Sequence, residues 1–362
     1  MHVQQLAAED FRNFTQLRVL LHPGINVVSG ANANGKTNFI EALYFCATGR
    51  SQRASQQREL VRFGQREAHL QAVVAGEGEA ATLTIDAHLF ADGKKRGIAL
   101  DHVPLQKLSQ LYGVLPVVIF TPEDLRLVKA GPAERRAFVD MELCQLNAVY
   151  YHNLRQYHQA LKQRNRLLKA IPKQRNLLDT LPVWDEPLRR YGTLLMARRQ
   201  IFVAQLSDFA GRIHSALSGG ESLALTYRPH VPDPDTYAER LQRSRDRDLA
   251  LGSTSVGIHK DDLCFTVNGT DLRTYGSQGQ QRTAALAAKL AEIELIRAHS
   301  GRTPVLLLDD VLSELDESRQ SFLFQHMQEG TQTILTCTGV EDLLRKIKPD
   351  RMLKMQDGQI RS

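Results

Sequence analysis

One octapeptide limits what this chain can fold into more than any bulk property does. Gly30-Ala31-Asn32-Ala33-Asn34-Gly35-Lys36-Thr37 fits the Walker A pattern GxxxxGK[ST]. Glycines let successive backbone amides turn toward one point, and those amides, with a following helix N-terminus, bind phosphate oxygens. Ile25-Asn26-Val27-Val28 before it reads as a strand; Phe39, Ile40, Leu43 and Tyr44 after it are spaced as one helix face. The pattern predicts a strand, loop and helix that cradle a nucleotide. Gly30, Asn32, Asn34, Gly35, Lys36, Thr37 and Asn38 are the candidate ATP-binding residues. Lys36 is expected to reach the outer phosphates and to act in catalysis, and the Thr37 hydroxyl to coordinate Mg2+.

A second segment complements the first. Leu306-Leu307-Leu308-Asp309-Asp310 fits Walker B: an apolar strand delivers Asp309 to its carboxyl end, where open α/β sheets bind ligands. Asp309 is expected in the Mg2+ shell, and Asp310 as the base that orients the attacking water.

Between the two motifs the chain changes character. The first stretch reads as a sheet: two strand-like runs in residues 1–28, alternation within 69–100, and a buried strand at Val117-Val118-Ile119-Phe120. Then Tyr150, Leu154, Tyr157, Leu161 and Leu168 step at heptad-like intervals, as do Leu188, Tyr191, Leu195, Phe202 and Leu206. Pro172, Pro182 and Pro187 lie between and are expected to break the helices. This predicts a helical hairpin of about 20 residues per helix, roughly 30 Å long; two ordinary core helices are the plainer alternative. Further on, Leu263 to Val267, Asn268-Gly269 and Asp271-Leu272 read as a β-hairpin with a two-residue turn. A helix over 278–299, a strand at 305–308, a helix over 316–328 and a strand over 332–337 complete the expected order. The domain organisation this suggests is an ATPase lobe over 1–145, a helical arm over 146–230, and the rest of the ATPase over 231–362.

Charge points to polyanions. The whole chain carries 46 Lys and Arg against 40 Asp and Glu, a net +6. Residues 150–200 alone hold eleven basic and three acidic residues, an excess of eight. A solvated helix surface explains such a run as readily as a partner does. The four cysteines, Cys46, Cys144, Cys264 and Cys337, form no CxxC pair, so neither a zinc signature nor a disulfide framework is indicated. The longest apolar run, Val114 to Phe120, falls far short of the roughly 20 residues of a membrane span. A soluble cytoplasmic, nucleoid-associated protein without a membrane partner is expected.

Ser277-Gln278-Gly279-Gln280-Gln281-Arg282 stands before the predicted long helix and about 30 residues before Asp309. It resembles the signature of ABC ATPases, whose core form is Ser-x-Gly-Gln. Ser313-Glu314-Leu315-Asp316 similarly fits the D-loop. That resemblance implies that Ser277, Gly279 and Gln280 meet the γ-phosphate held by a second copy, so ATP would close a homodimer.

The match then narrows to the RecF family of bacterial recombination mediators. Asp10-Phe11-Arg12-Asn13-Phe14 resembles a strand motif shared by RecF and SMC proteins, and Gly49-Arg50-Ser51-Gln52-Arg53 resembles the RecF G-R-S-x-R. Pro122 to Leu125, Gly131 to Asp140, and Leu307 to Asp316 are similar to further RecF segments. The chain departs from the family at Ala130, usually glycine, and in Gly257-Ile258-His259-Lys260-Asp261-Asp262, where the family has G-P-H-R-D-D. Thr338 stands where many ABC proteins place a switch histidine, and Asp310 replaces a more usual glutamate. The resemblance implies an α/β ABC-ATPase head, with a mixed β-sheet and P-loop, and an inserted short antiparallel coiled-coil arm. It implies a slow, DNA-stimulated ATPase that works as a switch. It also implies an ATP-dependent homodimer on double-stranded DNA and single/double-strand junctions without base specificity, and work with RecR and RecO in loading RecA. Arg50, Arg53, Arg135 and Arg136 are candidates for DNA contact, and equally for structural or ATP-proximal roles. The alternatives are an SMC-like tether, a transporter nucleotide-binding subunit and a nuclease. Against them stand the short arm, the roughly 270 residues between Lys36 and Asp309, and the lack of a carboxylate cluster beyond the ATP site.

Overall fold

The computed structural model describes residues 1–76, 82–327, 330–339 and 346–361. The chain divides into two compact units, Met1–Leu125 with Glu292–Ser362, and Arg126–Ala291. The first unit opens with β1 (His2–Phe11), β2 (Phe14–Leu20), β3 (Ile25–Ser29) and α1 (Lys36–Thr48). It continues with β4 (Glu67–Ala75), β5 (Thr82–Phe90), β6 (Gly97–Leu100), β7 (Val103–Pro104) and β8 (Val117–Phe120). The second unit holds α2 (Pro132–Leu146), α3 (Ala148–Ala170), α4 (Pro182–Ser218), β9 (Leu223–Arg228), α5 (Tyr237–Arg243) and α6 (Arg245–Leu251). After these come β10 (Asp262–Val267), β11 (Thr270–Asp271), α7 (Leu272–Tyr275) and the start of α8 (Gln278–Ser300). The chain then returns to the first unit with β12 (Val305–Asp309), α9 (Glu317–Met327), β13 (Thr333–Cys337), β14 (Arg351–Gln356) and β15 (Gln359–Arg361).

Among the described residues, two six-stranded sheets build the first unit. One is antiparallel, in the order β2-β1-β4-β5-β6-β7. In β4, Ala68, Leu70, Ala72 and Val74 alternate inward, which fixes its register. The other sheet runs β15-β14-β3-β13-β12-β8. Its strands are parallel except for β15, so the sheet is mixed. β3, β8, β12 and β13 are buried along their whole lengths, as the continuous apolar runs of a covered parallel sheet require. This is the expected α/β head with its mixed sheet and P-loop.

The chain's beginning holds three strands rather than two runs. β1 and β2 form a hairpin that turns at Arg12-Asn13, with Phe11 opposite Phe14. Arg12 takes a left-handed φ of 53° there. No Asn-Gly or Asp-Gly pair announces such a turn; tertiary contacts hold it, since Arg12 forks onto Glu41 of α1 at 2.8 Å through both nitrogens and bonds the Glu59 carbonyl at 2.7 Å.

In the second unit α3 packs against α4, and β9, β10 and β11 form a small antiparallel sheet. The β10–β11 hairpin turns at Asn268 and Gly269, with φ of 49° and 79°. α4 is 37 residues long, about 55 Å, nearly twice the expected arm helix. Its buried seam continues past Leu206 through Ala210, Ile213 and His214, and ends only where Gly219 supplies a left-handed cap. Pro187 does not break it. Pro182 occupies the first turn, and Pro187 removes one bond, to the carbonyl of Val183, a residue open to solvent. The helix expected over 316–328 is α9; residue 328 lies outside the described residues. Among the described residues no helix is long and apolar enough to cross a membrane.

Candidate functional site

The loop from Gly30 to Gly35 leaves the carboxyl end of β3 and enters α1. Gly35 is the residue before the helix, at φ 108°, and carries no side-chain cap. The first-turn amides of α1 therefore point outward without a side-chain acceptor, which makes the helix start an anion site. No L side chain fits at Gly35: a Cβ would stand 2.7 Å from the Asn13 amide nitrogen, in a backbone conformation that side chains rarely adopt. At Gly30 a Cβ would meet the Met355 carbonyl oxygen at 2.3 Å. The loop is thus wedged between two turns. Asn38 donates to Asn13 in the β1–β2 turn at 2.7 Å, and on the other side the Gly358 amide donates to the Asn34 carbonyl at 3.1 Å. Asn34 also donates to the Met355 carbonyl at 3.3 Å. Asn32 lies on the exposed tip.

Lys36 is only 6% exposed, and its ammonium folds back onto the loop's own carbonyls, Gly30 at 2.7 Å and Ala31 at 3.0 Å. Sheet topology then joins the two motifs. β13 lies between β3 and β12, and its Thr336 hydroxyl donates to Asp309 Oδ1 at 2.9 Å. The Thr37 hydroxyl donates to the same oxygen at 3.1 Å. Burial pushes the Asp309 carboxyl above its ordinary pKa, against the pull of the two hydroxyls. Thr37 and Asp309 are a hydroxyl and a carboxylate, hard oxygen donors of the kind Mg2+ takes.

Asp310 sits next to this pair in a left-handed conformation, φ 52°, with its amide donating to Thr336 Oγ1 at 2.9 Å. Its pKa is also raised by burial, with Lys36 opposing. A cleft of about 480 Å³ opens beside it, lined by Leu312, Ser313, Cys337, Thr338 and Lys346. Thr336 has no motif of its own. Only the strand order brings it to the site, so sequence reasoning missed it.

The second unit holds the signature-like segment. Ser277 and Gln280 cap α8 reciprocally: Ser277 Oγ accepts from the Gln280 amide at 3.2 Å, and Gln280 Oε1 from the Ser277 amide at 3.1 Å. Ser277, Gln278 and Gly279 are exposed at this helix start.

The candidate arginines separate. Arg53 is exposed, donates to Asn38 at 3.4 Å, and its charge is felt at Asp309, so it belongs beside the phosphate loop. Arg135 is 1% exposed and forks onto Asp262 at 2.7 and 2.9 Å, with the Val128 and Ala130 carbonyls as further acceptors. Arg136 donates to the Asp261 carbonyl at 2.7 Å. Both are engaged by groups of their own unit.

The basic segment also hides two buried arginines. Arg199 binds both oxygens of Asp140 at 2.8 and 2.9 Å, Asp261 at 2.8 Å and the Ile258 carbonyl at 2.9 Å. Arg164 binds Asp185 at 2.7 Å and Asp248 at 2.6 Å. The departures at 258 and 260 differ in setting: Ile258 is buried beside Arg199, and Lys260 faces solvent.

Residues 2–361 match the RecF/RecN/SMC N terminal domain. The chain is similar to the DNA replication and repair protein RecF of Agathobacter rectalis, at 45% identity over 362 residues and 99% of both chains. It is 44% identical to that of Lachnoclostridium phytofermentans, again over 99% of both. Among solved structures it superposes on the recombination mediator protein RecF with ATP, of the RecFOR pathway. There the TM-score is 0.92 at 32% identity, covering 99% of this chain and 97% of that one. The Smc head domain of Pyrococcus furiosus shares the fold, with a TM-score of 0.57 at 17% identity over 99% and 95% of the two chains.

Proposed function

The chain belongs to the RecF/RecN/SMC N-terminal domain family, and within it to the RecF proteins, and from that premise we propose an ATP-dependent DNA-binding protein of recombinational repair. The observation that carries this reading is the joining of the two phosphate-site motifs: Thr37 and Thr336 share one oxygen of Asp309 beside a capless helix start. ATP is the ligand. The amides of the Gly30–Gly35 loop and of α1 hold its phosphates, and Lys36 exchanges its carbonyl partners for phosphate oxygens. Thr37 and Asp309 would hold Mg2+, which would supply charge neutralisation at the outer phosphates. Asp310 orients the attacking water, and its raised pKa suits a base of modest strength.

In this reading Ser277, Gly279 and Gln280 of one copy meet the nucleotide of a second copy at the start of α8. ATP then closes a homodimer around DNA, and hydrolysis is slow and serves to release it. The relatives' place in the RecFOR pathway makes RecO and RecR the partners, with RecA loading at gaps and junctions as the outcome. Location in the cytoplasm, on the nucleoid, follows.

The test is fluorescence anisotropy on a gapped duplex, with and without ATP and Mg2+, for wild type and Lys36→Met. Tighter binding with ATP in wild type, and no response in Lys36→Met, supports the ATP-gated grip. Equal binding in all four conditions, or none, rejects it.

A further inference from the structure

Helix α3 contains no carboxylate in its 23 residues. One of its faces is the packing seam of Tyr150, Leu154, Tyr157, Ala160, Arg164 and Leu168, all buried. The opposite face carries His152, Arg155, Gln159, Lys162, Arg166 and Lys169, at alternating steps of three and four, and every one of them is exposed. The row is about 25 Å long.

Arg155, Lys162, Arg166 and Lys169 make no ion pair or side-chain hydrogen bond among the described residues. Arg164 of the same helix shows the contrast: it points inward and is held by Asp185 and Asp248. An exposed helix that serves only the fold gains from interspersed opposite charges; Lys162 with Arg166, and Arg166 with Lys169, stand at spacings where like charges repel. The row therefore works against the helix unless an anion covers it.

We infer that this row on α3 is a docking surface for the phosphate backbone of duplex DNA. The inference rests on the DNA-binding reading above, and adds which face of the protein holds the duplex. Lys162, Arg166 and Lys169 follow one another at about 6 and 4.5 Å along the helix axis, within side-chain reach of phosphates that recur on each strand about every 3.4 Å of duplex axis. The row carries no Phe, Tyr or Trp, and His152 at one end is its single aromatic ring, so it lacks the succession of stacking platforms that unpaired bases use. A straight row of point charges suits the regular backbone of a duplex and reads no sequence.

The experiment uses the full chain with ATP and Mg2+, a fluorescent duplex of arbitrary sequence, and a salt series. The variant combines Arg155→Gln, Lys162→Gln, Arg166→Gln and Lys169→Gln; Arg166→Gln alone and the pair Arg155→Lys with Arg166→Lys accompany it. Melting and ATP binding check that each is folded. The fourfold variant is expected to bind at least roughly tenfold more weakly at moderate salt, with a salt slope shallower by about three to four. Arg166→Gln should lower the slope by about one, and the lysine pair should keep it. If wild type binds the duplex and the folded fourfold and single variants match it in affinity and slope, this inference falls while the DNA-binding reading stands. If wild type itself does not bind, both fall. An unchanged DNA slope, with loss of competition by polyglutamate, assigns the row to an acidic protein surface and overturns the inference.

Discussion

Lys36 in the phosphate loop and Arg199 in α4 are both cations almost wholly out of water, at 6% and 2% exposure, yet their surroundings differ in kind. Arg199 is enclosed by dedicated counter-ions: Asp140 and Asp261 accept from it, and Tyr150 and Tyr227 bond those same carboxylates. Lys36 rests on two neutral carbonyls of its own loop. A cation with carboxylate partners is locked, because leaving them strands buried charges. A cation held only by carbonyls can exchange them for a phosphate. Burial of charge is thus common to both regions, and the partner separates a locked cation from one that can exchange its partners.

The sharpest way to break this comparison is to truncate both. Arg199→Leu should cost about 3–5 kcal/mol of stability, since it leaves the buried Asp261 and the half-buried Asp140 without their cation. Urea denaturation measures it, and Arg199→Lys should recover only part, for want of the forked guanidinium. Lys36→Met should leave stability within about 1 kcal/mol, because the carbonyls it abandons are neutral. Its ATP affinity should fall by roughly a hundredfold, about 3 kcal/mol. Equal stability losses in the two variants would end the distinction.

A titration sharpens the locked side. His259 Nε2 lies 2.9 Å from the Thr254 carbonyl, which can only accept, so that nitrogen carries the proton and Nδ1 accepts from Tyr157 at 2.8 Å. Burial pushes the imidazole down to about 4, against about 6.5 unfolded. Between those values the unfolded chain takes up a proton and the folded one does not. Stability should therefore fall as pH is lowered from about 6.5 toward 4. The full shift corresponds to about 3 kcal/mol, and partial access of water trims it to about 2. The difference between wild type and His259→Gln across that window isolates the effect; parallel curves would refute it.

The same contrast explains what was legible in the sequence. The phosphate loop is local. Glycines, Lys36 and Thr37 sit within eight residues, and strand and helix follow from periodicity, as they do for β8, α8 and the Asn268-Gly269 hairpin. The arginine network is not local. Arg164 and Arg199 read as members of one basic surface run with Arg155 and Arg166, because nothing in the chain marks which cations turn inward. Their carboxylates lie 21 to 84 residues away. Thr336 is hidden for the same reason: its place depends on β13 lying between β3 and β12, and strand order leaves no local pattern. The length of α4 is not legible locally, because Pro187 reads as a helix breaker, whereas the bond it removes lies near the solvent-facing start of the helix.

The smallest expected effect on stability tests the signature-like segment. Ser277 caps α8 through the Gln280 amide while staying exposed, so a purely structural role and a phosphate-binding role look alike in the folded monomer. They respond differently to one substitution. Aspartate caps a helix start about as well as serine and favours its positive end, so Ser277→Asp should change stability by no more than about half a kcal/mol. An added carboxylate repels a phosphate arriving at the same amides. ATP-dependent dimerisation, followed by light scattering, should then be lost in Ser277→Asp and largely kept in Ser277→Gly, which costs only a few tenths of a kcal/mol as a cap. If Ser277→Asp dimerises with ATP as wild type does, the serine is a cap and nothing more, and the exposed start of α8 belongs with the locked groups of its unit rather than with the phosphate site.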